Sequence, residues 1–225
     1  MSATKYIPAL RFNWLTRFYD SLLAISFPDK KIKTALIVQL DLSGSEAILD
    51  FGTGTATLSI MIKQRYLNVK IAGVDVDKEI LEIAKKKTGG LNLEIDLHKY
   101  DGSQLPFSDA SWDRIISSLV FHHIPTDNKK IVLKEINRCL KPGAELHIAD
   151  FGKAANAYTK LAFALFRRLD GEANTRVNSR VLLPEFIREA SFVHVEKTKY
   201  FNTVFGTVRL LKAVKPVFNY KMLFN

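Results

Sequence analysis

The residues of this 225-residue chain whose types and spacing could do chemistry are Asp50, Gly52, Thr53 and Gly54, then Asp75, Asp101 with Gly102, the pair His122-His123, and Asp150. The first set stands in Ile48-Leu49-Asp50-Phe51-Gly52-Thr53-Gly54-Thr55-Ala56, where an apolar run ends in an acid and a helical pattern begins at once. Glycines at such a junction let the backbone turn sharply and approach a ligand with no Cβ in the way. The helix that follows offers unpaired N–H groups and the positive end of its dipole. This is the layout of a nucleotide-binding loop. A nicotinamide dinucleotide is disfavoured, because its pyrophosphate fingerprint has a third glycine three residues past the second, where this chain has Thr57. Asp50 would also repel a pyrophosphate, and it suits instead a cationic ligand such as an α-ammonium beside a sulfonium. Asp75 closes a second apolar run and could accept both hydroxyls of a ribose. Histidine is suited to taking a proton near neutral pH. Consecutive residues cannot both point inward, so at most one of His122 and His123 is expected to act.

These groups need rigid elements to hold them, and hydrophobic periodicity supplies the expectation. Period-two and continuous apolar runs predict strands near Ala47–Phe51, Lys70–Val74, Leu93–Tyr100, Trp112–Leu119 and Ala144–Asp150. Between them, helices are predicted over about Thr55–Tyr66, Lys78–Lys87 and Asp127–Leu140. Gly89-Gly90 is expected to end the second helix and Pro142-Gly143 the third. Strand–helix alternation of this kind builds a parallel sheet, and ligands of such sheets bind beyond the carboxyl ends of the strands. Asp50, Asp75, Asp101, Ser117–His123 and Asp150 all fall at those ends. Two N-terminal helices are predicted, about Leu10–Ile25 and Lys30–Gln39. Past Asp150 the alternation breaks into an apolar helix over Ala154–Leu169 with Phe163 on its basic face. A short helix follows Pro184, then two β-rich runs, Phe192–Val204 and Thr207–Val214, joined at Gly206.

The quoted residues, together with Gly73-Val74-Asp75, Asp101-Gly102 ahead of Leu105-Pro106-Phe107, Phe121-His122-His123-Ile124 and Arg138-Cys139-Leu140-Lys141-Pro142-Gly143, resemble the class I S-adenosylmethionine-dependent methyltransferases. Within them they look like the branch that holds the ubiquinone/menaquinone C-methyltransferases and many small-molecule methyltransferases. Residues 47–151 carry the likeness closely and the flanks loosely. Ala56 stands where the family has its third glycine, and Ala144 replaces the second glycine of Lys-Pro-Gly-Gly. The resemblance implies an α/β fold: a Rossmann-like, doubly wound, seven-stranded, mostly parallel sheet with an antiparallel edge, plus N-terminal helices. It implies one domain, with residues 1–45 as a helical lid, 46–151 as the cofactor core and 152–225 as the substrate side. S-adenosyl-L-methionine is the implied cofactor. Asp50, Gly52, Thr53 and Gly54 would form its loop, and Asp75 would hold its ribose. Val76 would flank the adenine, and Asp101 with Gly102 would bond its amino group. Backbone near Gly52 and Ser118 would hold the methionine end, with Tyr19 touching that end or the substrate. The resemblance also implies methyl transfer to a small aromatic or lipophilic acceptor, with His122 or His123 as general base and no metal. A non-catalytic cofactor-binding domain acting through partners is the alternative of another class.

Composition bounds these readings. At 47% hydrophobic the chain can bury a full core as a single α/β domain. Its one cysteine, Cys139, excludes an internal disulfide and a cysteine-rich zinc site, in keeping with a reducing cytoplasm. No apolar run is long enough for a membrane helix and the N-terminus lacks a leader pattern, so the expectation is an unexported protein. The net charge of +10 is uneven: residues 50–150 balance 14 basic against 14 acidic groups, while residues 151–225 carry 13 against 5. That basic third leaves an anionic substrate, a membrane surface or RNA open as partners. The Ser-Leu-Val-Phe-His-His-Ile stretch after the fourth strand lacks the marks of nucleic-acid methylation, which argues against RNA.

Overall fold

The computed structural model describes residues 27–152, 183–203 and 206–217. Helix α1 (Asp29–Gln39) leads to β1 (Ala47–Phe51), α2 (Thr57–Arg65), β2 (Lys70–Asp75), α3 (Lys78–Gly90), β3 (Asp96–Lys99) and β4 (Trp112–Ser118). A 3₁₀ turn (Phe121–His123), α4 (Thr126–Cys139), β5 (Leu140–Gly152), α5 (Leu183–Glu189), β6 (Val193–Thr203) and β7 (Gly206–Val214) follow. The strands form one seven-stranded sheet in the order β3-β2-β1-β4-β5-β7-β6. Strands β1 to β5 pair in parallel, while β7 runs antiparallel to both β5 and β6. The expected doubly wound sheet with an antiparallel edge is what the chain forms.

Neighbouring residues on a strand point to opposite faces, and both faces here are apolar. Leu49, Ala72, Ile115 and Ile148 turn towards α4 and α5, packing with Val132, Leu133, Ile136, Phe186 and Ile187. Ile48, Ile71, Ile116 and Ala149 turn the other way onto α1 and α2, against Ile32, Leu36, Leu58 and Ile62. The near-continuous apolar strands thus follow from a sheet covered by helices on both sides.

Element ends differ from expectation where one residue type outweighs periodicity. Strand β3 is limited to four residues, because pairing with β2 begins only at Ala72 opposite Asp96. Leu93 and Ile95 instead pack as side chains on the small cluster of Ala56, Ile60 and Ala84. Helix α3 takes in Gly89 and Gly90 rather than ending before them, and the chain turns at Asn92, whose φ is +51°. Helix α4 stops at Cys139, and β5 starts four residues earlier than predicted. Between the pairs Trp112–Leu140 and Arg114–Glu145 the register shifts, and Pro142-Gly143 bulges out. That bulge is tied to the end of β7 by Gly143 N–H donating to Lys215 O and Lys215 N–H donating to Ala144 O, both at 2.9 Å. Among the described residues the sheet ends on β3 and β6, and β6 carries two register shifts, at Val193/Glu196 and Lys197/Lys199. The predicted helices over residues 10–25 and 154–169, with Phe163, lie outside the described residues.

Candidate functional site

The β1–α2 loop is held from beneath. Gly52 and Thr53 N–H groups both donate to Val74 O at 2.9 Å, pinning the turn to the end of β2. Gly52 adopts φ +71°, and a Cβ there would stand 2.4 Å from Val120 Cγ2, so only glycine lets Val120 lie over the turn. Gly54, at φ +55°, is different: a Cβ there would meet nothing within 4 Å. The loop is closed at Gly52 and open at Gly54. Ala56, first turn of the helix entrance, also sits at positive φ (+58°), a backbone state that explains why glycine would be at ease there.

Acids surround this loop at three strand ends. Asp50, 2% exposed, accepts from Ser59 Oγ at 2.6 Å and Thr53 Oγ1 at 2.9 Å. Burial pushes its carboxyl above the usual range, and the two hydroxyls oppose that rise. Asp75 accepts the Gly54 N–H at 2.9 Å on one oxygen and the Asp77 N–H at 3.0 Å on the other. Beside it, Val76 is 59% exposed, an apolar side chain left against open space. Asp101 stands just past β3, where Ser103 donates through N–H (2.8 Å) and Oγ (2.7 Å) to one carboxylate oxygen and holds the group below the usual range. Gly102 follows at φ +91°, and residues Asp101 and Gln104–Ser108 line a hollow of about 480 Å³.

At the ends of β4 and β5 the histidines come into place. Ser118 Oγ is buried with no hydrogen-bond partner among the described residues. Leu119 then adopts φ +61°, and Phe121 buries its ring 5.9 Å from that of Phe51, which fixes the turn carrying His122 and His123. His122 Nδ1 lies 2.7 Å from Asp150 Oδ1, and the His122 N–H donates to Asp150 Oδ2 at 3.2 Å. Asp150 is itself 3% exposed and also accepts the Phe151 N–H at 2.6 Å. The Phe151 ring stands edge-on to His122, with centroids 5.0 Å apart. The His123 ring lies 3.9 Å from that of His122. Loss of water on that side holds His123 below the ordinary range for histidine, with His122 adding to the effect and Asp150 opposing it. A carboxylate on Nδ1 fixes the tautomer that carries its lone pair on Nε2.

Residues 48–143 match the methyltransferase domain family. The chain is 31% identical over 119 residues to the demethylmenaquinone methyltransferase of Deinococcus radiodurans, a match covering 53% of this chain and 48% of that protein. It is 31% identical over 178 residues to the O-methyltransferase resE of Aspergillus sclerotiorum, covering 77% of this chain and 65% of that protein. A crystal structure of a SAM-dependent methyltransferase from Aquifex aeolicus shares the fold at 18% identity, with a TM-score of 0.63 over 87% of this chain and 97% of that one. The matched domain, the relatives and the shared fold together support a class I S-adenosylmethionine-dependent methyltransferase. The match spans about half the length of the Deinococcus radiodurans protein and of two further demethylmenaquinone methyltransferases. S-adenosyl-L-methionine is the cofactor that these similarities imply.

The site fits such a group: open space above Gly54, a Ser118 hydroxyl with no partner among the described residues, an exposed Val76 and acids at the ends of β2 and β3. Of the residues read from sequence, Gly52, Gly54, Asp75, Val76, Asp101, Gly102, Ser118, His122 and His123 come together along the carboxyl edge of the sheet. Thr53 departs from expectation. Its hydroxyl is turned inward to Asp50 and its N–H to Val74, so both of its donors support the loop from within. Gly73 makes room for it, since a Cβ there would stand 2.8 Å from the Thr53 side chain. Asp50 likewise spends one oxygen on bracing hydroxyls. Tyr19 lies outside the described residues. The His122–Asp150 contact joins groups that sequence reading kept apart; their positions at the ends of adjacent strands β4 and β5 were the available signal. Among the described residues there is no cluster of metal-ligating side chains, and no helix is long and apolar enough to cross a membrane.

Proposed function

We propose that this chain is an S-adenosylmethionine-dependent methyltransferase that moves a methyl group to an oxygen, carbon or nitrogen atom of a small aromatic or lipophilic acceptor. The observation that carries the reading is the His122–Asp150 pair, 2.7 Å apart, beside a nucleotide-type loop at the same edge of the sheet. Gly54 and Asp75 would hold the ribose side, Val76, Asp101 and Gly102 the adenine, and Ser118 with the Gly52 backbone the amino-acid end. Asp50 would lend negative charge near that end through the loop that it braces, and Tyr19 is a further candidate contact. When bound, the cofactor supplies an electrophilic methyl carbon on a sulfonium.

The chain's own residues would orient the acceptor and handle its proton. Holding two reactants in line supplies much of the acceleration in such displacements. Asp150 keeps the Nδ1–H of His122 engaged, so that Nε2 is the basic nitrogen. As His122 takes a proton from a phenol or an enolisable carbon, the buried carboxylate stabilises the imidazolium. Phe151, edge-on to His122, limits rotation of the ring. His123, held below the ordinary histidine range, stays neutral and shields the His122 ring on one side.

Two names support the acceptor class: one relative is a demethylmenaquinone methyltransferase and another an O-methyltransferase. The same reading divides the chain into a helical lid (1–45), a cofactor core (46–151) and a substrate side (152–225), working in the cytoplasm. Calorimetric titration with S-adenosylhomocysteine, followed by rate assays on phenols and quinols, tests it. Micromolar binding, about −8 kcal/mol, with turnover of such an acceptor is the expected result; no binding to folded protein would overturn it.

A further inference from the structure

Helix α4 carries a clamp that no part of the proposed chemistry uses. Glu135 and Arg138 stand three residues apart on it, and so share a face. The Arg138 guanidinium reaches out along five N–H donors, and each has a partner. Nε and Nη2 hold the Glu135 carboxylate at 3.1 and 2.8 Å. Nη1 donates to Phe107 O at 2.9 Å and to Asp109 Oδ1 at 2.6 Å, and Nη2 donates to Leu105 O at 3.1 Å. Glu135 returns the grip by accepting the Leu105 N–H at 3.1 Å. Side chains add to it. Leu105 is fully buried, and the Phe107 ring lies edge-on between His98 and Trp112, with centroids 5.2 and 5.0 Å away.

Leu105–Ser108 of the clamped stretch form most of the wall of the hollow that begins at Asp101. A loop of this length with two backbone carbonyls bound to one guanidinium has little freedom to shift relative to α4. Arginine's planar fork is the side chain that can satisfy two carbonyls and two carboxylates at once, whereas lysine offers a single point of attachment.

We infer that Arg138, with Glu135, is a positioning residue for base recognition: it fixes the 105–109 wall against Asp101 so that the hollow takes an aminopurine in one setting. The inference rests on the cofactor reading above. Its consequence is selectivity. With the wall fixed, the Asp101 carboxylate meets the exocyclic amino group of adenine as acceptor and repels an oxo group at the same place. With the wall free, the base can slide and the distinction fades.

The test is titration of wild-type protein, Arg138→Ala and Glu135→Gln with S-adenosylhomocysteine and with S-inosylhomocysteine, whose base carries an oxo group in place of the amine. Wild-type protein should prefer the adenine ligand at least about tenfold. In Arg138→Ala, affinity for S-adenosylhomocysteine should fall about tenfold and the preference should shrink towards one, since the ratio is independent of how much protein is folded. Should Arg138→Ala not fold, Glu135→Gln, which keeps an acceptor for Leu105 N–H but loses the charge on the fork, carries the same expectation at smaller size. A lower melting temperature with affinity and preference both intact would make the clamp structural only and overturn the inference. Failure of the wild-type protein to bind either ligand would instead overturn the cofactor reading itself.

Discussion

Replacing Asp150 with Asn removes one charge from the His122 pair and almost no volume. In the wild type one oxygen of Asp150 receives His122 Nδ1 at 2.7 Å and Phe151 N–H at 2.6 Å, and the other, among the described residues, receives the His122 N–H at 3.2 Å. An asparagine would therefore keep its carbonyl oxygen on the doubly used side, where two donors would be lost by the opposite choice. The His122 tautomer survives, while one weak backbone contact is replaced by a clash of donors. What disappears is the charge that stabilises the imidazolium. Hydrogen bonds to a charged group contribute about 1.5–3 kcal/mol against about 0.5–1.5 for neutral ones. The difference, about 1.5 kcal/mol, corresponds to roughly a tenfold slower proton-coupled step. The assay is the initial rate of S-adenosylhomocysteine formation across a series of phenols of graded acidity. Weakly acidic phenols, which need a base, should lose about tenfold, and phenols already ionised at the assay pH should lose almost nothing. Affinity for S-adenosylhomocysteine, measured in parallel, should stay within about twofold. A uniform loss across the series, or none with the least acidic phenols, would refute the assignment of His122 as base and Asp150 as its support.

Asp75→Ala removes both the acceptor for the Gly54 N–H and the proposed ribose partner, so binding of S-adenosylhomocysteine should weaken at least tenfold by calorimetry; unchanged affinity would mean that the ribose lies elsewhere. The two loop glycines should behave differently. Gly54→Ala places a methyl in open space at φ +55°, costing about 1–2 kcal/mol in thermal unfolding while strongly weakening ligand binding. Gly52→Ala drives a Cβ into Val120 at 2.4 Å and should yield little folded protein; a Gly52→Ala chain with wild-type melting would show that Val120 is free to move. Stability should also fall with acid. Glu145 is held down to about 2 by the His147 hydrogen bond, aided by Lys212 and Arg114, and a carboxyl lower in the folded than in the unfolded chain contributes stability that is present above its unfolded pKa and lost as pH drops towards 2. With a free value near 4.5, that is about 3 kcal/mol. Burial lowers His147 as well, so the unfolded chain takes up a proton first as pH falls through about 6.5, which also works against the folded chain in acid. Melting temperatures between pH 8 and pH 3 should therefore decline in acid, and Glu145→Gln should flatten the lower part of the curve.

How much was legible in the sequence divides along local and non-local physics. Strand β1 was bounded correctly because Ile48-Leu49 is apolar on both faces and Gly52 ends it; Lys78 begins α3 because Asp77 caps it, accepting from Glu79 and Ile80 N–H groups. The early start of β5 was hidden, since Pro142-Gly143 reads as a stop and its attachment to Lys215 lies 72 positions further along the chain. The site followed the same division. Acids and glycines at strand ends were readable because topology alone brings strand ends together. The inward turn of Thr53 was not, because it depends on the absence of a side chain at Gly73 on the neighbouring strand. His122 was singled out by type and place. That Asp150 holds it needed the order β4-β5 and the strained turn at Leu119, neither of which leaves a local pattern. Arg138 was quoted in a motif yet given no role, since two of its three partners at 105–109 are backbone carbonyls that every residue possesses.

The two margins of the sheet bear on how this protein behaves when it is crowded. An open sheet edge offers a row of unpaired N–H and C=O groups on which another chain can extend. Here β3 is only four residues long, too short to nucleate a lasting pairing. Strand β6 is longer, but its two register shifts twist and interrupt the ladder, and Lys197 and Lys199 stand on it where a flat apolar strand would invite a neighbour. Among the described residues, a seven-stranded sheet that ends this way at both sides gives a neighbouring molecule's strand little to extend.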